Sequence, residues 1–206
     1  MYIPLFPLKL VVFPDEELNL HIFEPRYKEL LADTEKEDTP IGILTFTDKL
    51  SGFGTEVILE KVYKRYEDGR LDIKTKGKRI FQIQSFDNPM EGKLYAGGEV
   101  EFLKDDMRIS TPLQHEYVLY LKEMLHLLNF TPEIRLDNLT SYTFAHKVGL
   151  SLEEELELIK MESEKARTEF LIAHFKRMIP VLKAAEQARA RIRQNGHFNH
   201  LDPLNF

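Results

Sequence analysis

At 206 residues, the chain is long enough to bury a core as one domain or two small ones, with no need of covalent staples. It has no cysteine, which excludes disulfides, thiolate zinc sites and a cysteine nucleophile and fits a reducing compartment. A formal net charge of −6 argues against broad phosphate affinity, and the absence of a cationic leader, a cleavage site or a membrane-length apolar run predicts a soluble, cytoplasmic protein with no membrane partner.

In chain order, the stretch Ile3 to Leu31 holds two apolar strand-like segments, proline punctuation and a helix start at Glu24-Pro25-Arg26-Tyr27. Pro25 suits the first helical position, where its missing N–H has no partner to lose. Glu24 can cap the exposed amides, and the pairs Glu24/Lys28 and Tyr27/Leu31 each lie one turn apart. Residues 41–47, bounded by Pro40 and Asp48, read as a buried strand. Two longer arms, 55–66 and 70–83, flank Asp68-Gly69, a strong hairpin signal. In the second arm Leu71, Ile73, Thr75, Phe81 and Ile83 alternate with Asp72, Lys74, Lys76, Lys78, Gln82 and Gln84, so one face is buried and one is wet. Gly77, inside that arm, relieves crowding or marks a bulge. A last alternating segment sets Leu94, Ala96, Gly98, Val100 and Phe102 against Tyr95, Glu99 and Glu101. Several such strands predict a closed or nearly closed β-barrel.

Helical patterning takes over at Asp105-Asp106. Thr111-Pro112-Leu113-Gln114 reads as a capped start, with Leu113, Tyr117, Leu121, Met124 and Leu128 on one stripe. A second helix is expected from Leu136 to Val148, ended by Gly149, and Ser151 to Glu154 forms a capping box that opens a third. The last pattern, Ser163 to Gln194, places Phe170, Ala173, Leu182 and Ala185 among its apolar positions. Pro180 should kink it or begin a new segment, and Gly196 should stop it. The fold class is therefore α+β: a barrel with one inserted helix over 1–106, a helical subdomain over 107–196 packed with it, and a tail, 197–206, able to dock through Phe198, Leu201, Leu204 and Phe206.

Pro4-Leu5-Phe6-Pro7, Phe13-Pro14, the run Leu20 to Tyr27 with Phe23-Glu24-Pro25-Arg26-Tyr27, then Asp68-Gly69-Arg70 and Gly77, together resemble the N-terminal domain of Lon proteases in order and spacing. The resemblance is specific through about residue 105 and continues as a helical pattern to about residue 193. It implies a PUA-like barrel followed by a helical bundle, and a stand-alone relative of a domain thought to bind substrates; related domains occur without the protease, as in cereblon. Members often carry Arg immediately before the aromatic that follows the glycine, where this chain has Ile80, with Arg79 one place earlier.

Neither Lon engine has a footprint in these residues. The phosphate loop G-x-x-x-x-G-K-[ST] is not matched, because Gly77-Lys78 is followed by Arg79, and no serine lies in a nucleophile elbow. No catalytic residue, metal ligand or cofactor is therefore expected. His197 and His200 have partial metal spacing but no third ligand nearby. His21 is expected to be a half-buried strand histidine bonded to backbone, and Arg26 to hold loop carbonyls while Tyr27 packs beneath it. The signature residues are read as structural. The leading expectation is a non-enzymatic module that binds proteins or peptides through exposed apolar side chains in a groove between the halves, acting with a separate ATP-dependent protease or as a regulator of proteolysis. The alternative is RNA binding through the basic hairpin at residues 61–79, where Lys74, Lys76, Lys78 and Arg79 follow Lys61, Lys64, Arg65 and Arg70. The adjacent Glu60, Glu67, Asp68 and Asp72, and the thin aromatic content (Tyr63, Tyr66), favour a solvated face instead, as they do for Arg189, Arg191 and Arg193.

Overall fold

The structure, a computed structural model, describes residues 1–195. Gly196, His197, His200 and the expected docking tail lie outside them. Six strands, β1 (Tyr2–Leu8), β2 (Glu17–Ile22), β3 (Ile41–Phe46), β4 (Leu50–Arg65), β5 (Leu71–Ile83) and β6 (Ala96–Phe102), accompany four α-helices, α1 (Pro25–Glu37), α2 (Thr111–Leu127), α3 (Leu152–Lys160) and α4 (Glu164–Asn195). The architecture is mixed α+β. The described chain forms two compact units: Met1–Met107 with Thr140–Glu164, and Arg108–Leu139 with the described part of Lys165–Phe206.

In the first unit the strand order is β2-β5-β4-β3-β1-β6, and β5 also pairs with β6, so five strands close a ring and β2 is appended outside it. β1 pairs parallel with β3 and antiparallel with β6. Ile3, Leu5, Leu44 and Phe81 belong to one core cluster, while Phe6, Ile43, Val57 and Ile73 belong to a second, which takes in Tyr27 and Leu30 of α1. The neighbours Leu5/Phe6 and Ile43/Leu44 divide between the two because successive strand side chains face opposite sides of the sheet. The hairpin turns at Tyr66 to Arg70, with only Gly69 at positive φ (79°). Gly77 serves both purposes expected of it. The β4–β5 register slips between Thr55 and Val57 beside it, and a Cβ there would collide with the carbonyl oxygen of Phe13.

The expected alternation at residues 94–96 is corrected: Leu94 is exposed and Tyr95 buried, because β6 begins only at Ala96. Tyr95 turns inward to donate its hydroxyl to Asp33 on α1. Residues 136–148 are not an α-helix. They form two 3-10 turns, Leu136–Asn138 and Ala145–Lys147. Between these turns the Thr143 hydroxyl accepts the Thr140 N–H, a local bond that competes with helix. Glu164 fixes this segment to the unit, its buried carboxylate accepting both the Ser141 N–H (2.6 Å) and the Ser141 hydroxyl (2.7 Å). The capping box of Ser151 and Glu154 forms as expected and opens α3.

In the second unit, α2 buries Tyr117, Leu121, Met124 and Leu125. Its cap is Ser110 rather than Thr111, with no side-chain capping bond, so the expected box does not form. α4 runs unbroken past Pro180, which lies on its exposed side. Its buried stripe is Leu171, Ile172, Phe175 and Ile179, one position off the expected Phe170 and Ala173. The four-residue spacing from Leu171 to Ile179 carries bulkier side chains than the alternative and stacks Phe175 on Tyr117.

Candidate functional site

The signature residues converge on two knots and one open strand. In the first knot, Phe6 on β1 stacks on Tyr27 in the first turn of α1, centroids 3.8 Å apart, and burial pushes the Tyr27 hydroxyl pKa up. Pro4, Leu5 and Pro7 complete β1, and Pro25 occupies the start of α1. Glu24 is the N-cap residue without a capping bond, because its carboxylate takes the Arg26 guanidinium instead (2.9 Å). Arg26 lies exposed, 4.5 Å from the Tyr27 ring, and among the described residues it does not hold the loop carbonyl expected of it. Lys28 does so, donating from Nζ to the carbonyl of Asp68 at 2.9 Å and so joining α1 to the Asp68-Gly69 turn.

In the second knot, the Phe13-Pro14-Asp15-Glu16 turn clasps Gly77, which donates to the carbonyl of Glu16 (2.8 Å) while Asp15 donates to the carbonyl of Gly77 (3.0 Å). The Glu16 carboxylate accepts the Phe13 N–H and faces His146 Nε2 at 3.1 Å. Glu155 on α3 faces Nδ1 at 2.7 Å. Burial alone would lower the imidazole's pKa, but the two carboxylates outweigh it and lift it to about 9. With both ring nitrogens donating, His146 is an imidazolium with no lone pair to act as a base.

The open strand is β2. His21 stands directly opposite Asp72 in the β2–β5 register, so its Nδ1 meets a carboxylate oxygen at 2.6 Å rather than a backbone group, and it is exposed rather than half-buried. The other Asp72 oxygen takes the Tyr66 hydroxyl at 2.7 Å, and these two bonds hold the Asp72 carboxyl below its ordinary pKa. Phe23, just past the strand, is 60% exposed and lies 6.2 Å from the His21 ring. Phe23 belongs to the signature expected to be structural, yet its ring faces solvent, a property that no local sequence signal carries.

The basic hairpin is largely neutralised. Lys74 meets Glu17 at 2.6 Å, Lys76 lies 3.4 Å from Asp15, and Arg79 forks onto the buried Glu56 at 2.7 and 2.8 Å while stacking on Phe102. Arg65 pairs with Glu35 and Arg70 with Asp68. Among the described residues, Lys78 is exposed without an ion-pair partner. One hollow of about 450 Å³, lined by Thr34, Asp38, Glu56 and Ile58 among others, holds no histidine, lysine, serine or cysteine. Another, about 320 Å³, follows α2 around Leu125, Phe130, Pro132 and Ile134 and contains no carboxylate. Among the described residues no group of three or more His, Cys, Asp or Glu is placed to hold a metal, and no helix is long and apolar enough to cross a membrane.

A family model described as the ATP-dependent protease La (LON) substrate-binding domain matches residues 2–177. Among solved structures, a Lon N-terminal domain protein from Xanthomonas campestris is 25% identical with a TM-score of 0.67, over 84% of this chain and 98% of that one. The N-terminal domain of a Mycobacterium avium complex Lon protease shares the fold, with a TM-score of 0.63 at 16% identity over 85% of this chain and 98% of that one. No curated protein matches the chain.

Proposed function

We propose, from the premise that this chain belongs to the family of ATP-dependent protease La (LON) substrate-binding domains, that it binds proteins or peptides without catalysing a reaction on them. The observation that carries this reading is the family match itself, which spans both the barrel and the helical elements at residues 2–177. The site geometry supports it. His146 is committed to two carboxylates, the hollow of about 450 Å³ has neither histidine nor lysine, and in the hollow of about 320 Å³ His126 and Lys122 stand beside Thr131 with no hydrogen bond among the described residues joining either to its hydroxyl. On this reading the signature residues Phe6, Pro25, Tyr27, Asp68, Gly69 and Gly77 hold the scaffold, and exposed apolar groups such as Phe23 meet the ligand. Binding of this kind suits an adaptor or regulator that delivers polypeptides to a separate ATP-dependent protease.

The RNA-binding alternative is opposed by the ion pairs that engage Lys74, Lys76 and Arg79. Fluorescence anisotropy with one labelled protein in its native and its permanently unfolded form, beside a labelled RNA, tests the proposal. Saturable binding of the unfolded form is the expected result. Binding of RNA alone, lost when Lys74, Lys76 and Lys78 are replaced together, would transfer the function to the hairpin.

A further inference from the structure

We propose that the free edge of β2 is where an extended polypeptide docks, adding a strand beside Glu17–Ile22; this inference rests on the polypeptide-binding reading above. Among the described residues β2 is bonded to a strand on one side only, to β5, in an unbroken register from Glu17 opposite Lys76 to Ile22 opposite Leu71. A free edge presents backbone N–H and C=O groups at strand spacing, and another extended backbone is the partner that completes them.

Proteins ordinarily guard such edges with lysines, prolines or bulges. The outer edge of β4 shows these guards: beyond its pairing with β3 at Val57, it carries Lys61, Lys64 and Arg65 and slips register twice, between Leu59 and Lys61 and between Val62 and Lys64. β2 has no lysine, no proline and no slip. Its inner-face residues Leu18 and Leu20 are half-buried against the core cluster of Ile22, Tyr27 and Ile73, so alternate apolar side chains of a docked strand would continue that core. Phe23, at the strand's end, offers an exposed ring to the same ligand.

Charge selects the occupant further. Residues 10–25 contain Asp15, Glu16, Glu17 and Glu24 and no lysine or arginine of their own, each carboxylate meeting a cation from outside the segment, Lys76, His146, Lys74 and Arg26 in turn. The Asp15 and Glu17 carboxylates are 86% and 59% exposed even with Lys76 and Lys74 beside them. An extended segment with alternating apolar residues flanked by lysine or arginine is the complementary ligand.

Amide hydrogen exchange on the full chain tests this, with and without a synthetic peptide of alternating valine and threonine flanked by lysines, beside the same core flanked by glutamates. The expected result is at least tenfold slower exchange for those β2 amides that are not bonded to β5, together with tighter binding of the lysine-flanked peptide. Binding that slows exchange elsewhere and leaves β2 untouched would overturn the edge while leaving polypeptide binding intact. Equal binding of the two peptides would overturn the assigned occupant. Protection of β2 in the free protein that fades on dilution would assign the edge to a second copy and overturn the proposal. Failure to bind either peptide or any unfolded polypeptide would remove the underlying function as well.

Discussion

Replacing His146 with glutamine should remove a pH dependence that the wild-type protein carries on its alkaline side. The folded imidazole titrates at about 9, against 6.5 for an unperturbed one, because Glu155 and Glu16 together outweigh the effect of burial. A gap of about 2.5 units at ~1.4 kcal/mol each sets a ceiling of about 3.5 kcal/mol. The His146 side chain is 32% exposed, so solvent screening discounts this to about 1–2 kcal/mol. Below pH 6.5 the imidazole is protonated in both the folded and the unfolded chain, and the contribution is complete. As the pH rises the unfolded chain releases its proton first, and the stabilisation drains away through pH 9. Urea unfolding at pH 6 and pH 10 gives the assay. The wild type should lose about 1–2 kcal/mol more than His146→Gln over that interval, the tyrosines being common to both proteins and cancelling in the difference. Identical pH dependence in the two proteins would refute the reasoning, and with it the claim that this ion cluster ties the 140–164 segment to the Phe13 turn.

Gly77→Ala should cost roughly 3 kcal/mol or more in chemical unfolding, because the added methyl meets the Phe13 carbonyl, a backbone atom that cannot move aside cheaply. Tyr27→Ala should cost about 3–5 kcal/mol by losing the stack on Phe6, whereas Tyr27→Phe should cost under about 1 kcal/mol in the same assay. Glu164→Ala should cost about 2–4 kcal/mol and speed hydrogen exchange around Ser141, whose N–H and hydroxyl lose a buried acceptor. Joint replacement of Lys74, Lys76 and Lys78 by glutamine should not weaken affinity for unfolded polypeptide by more than about twofold in anisotropy, since Lys74 and Lys76 face Glu17 and Asp15 at the protein's own surface rather than the ligand.

Local chemistry was the readable part of this chain. Pro25 opened a helix, Gly69 turned a hairpin, and Ser151 with Glu154 formed the capping box, because each of those signals is satisfied within a few residues. What escaped depended on partners far along the chain. Residues 136–148 have helical periodicity, yet Glu164 captures Ser141 across 23 positions and the threonines bond one another. Tyr95 and Leu94 exchanged faces because Asp33, on α1, draws the tyrosine hydroxyl inward. Arg26 and Lys28 exchanged duties for a nearer reason, since Glu24 captures the guanidinium first. The candidate site was legible only in part. The strand over 17–22 can be read from its alternation, but its position outside the ring is set by which strands pair, and composition carries little of that information.

Calorimetric titration of the full chain with a permanently unfolded polypeptide, repeated at several temperatures, tests the central claim most directly. Polypeptide recognition through apolar surface predicts saturable heat and a negative heat-capacity change. A folded protein that gives no heat with unfolded polypeptide, yet binds RNA with strong salt dependence, would contradict it.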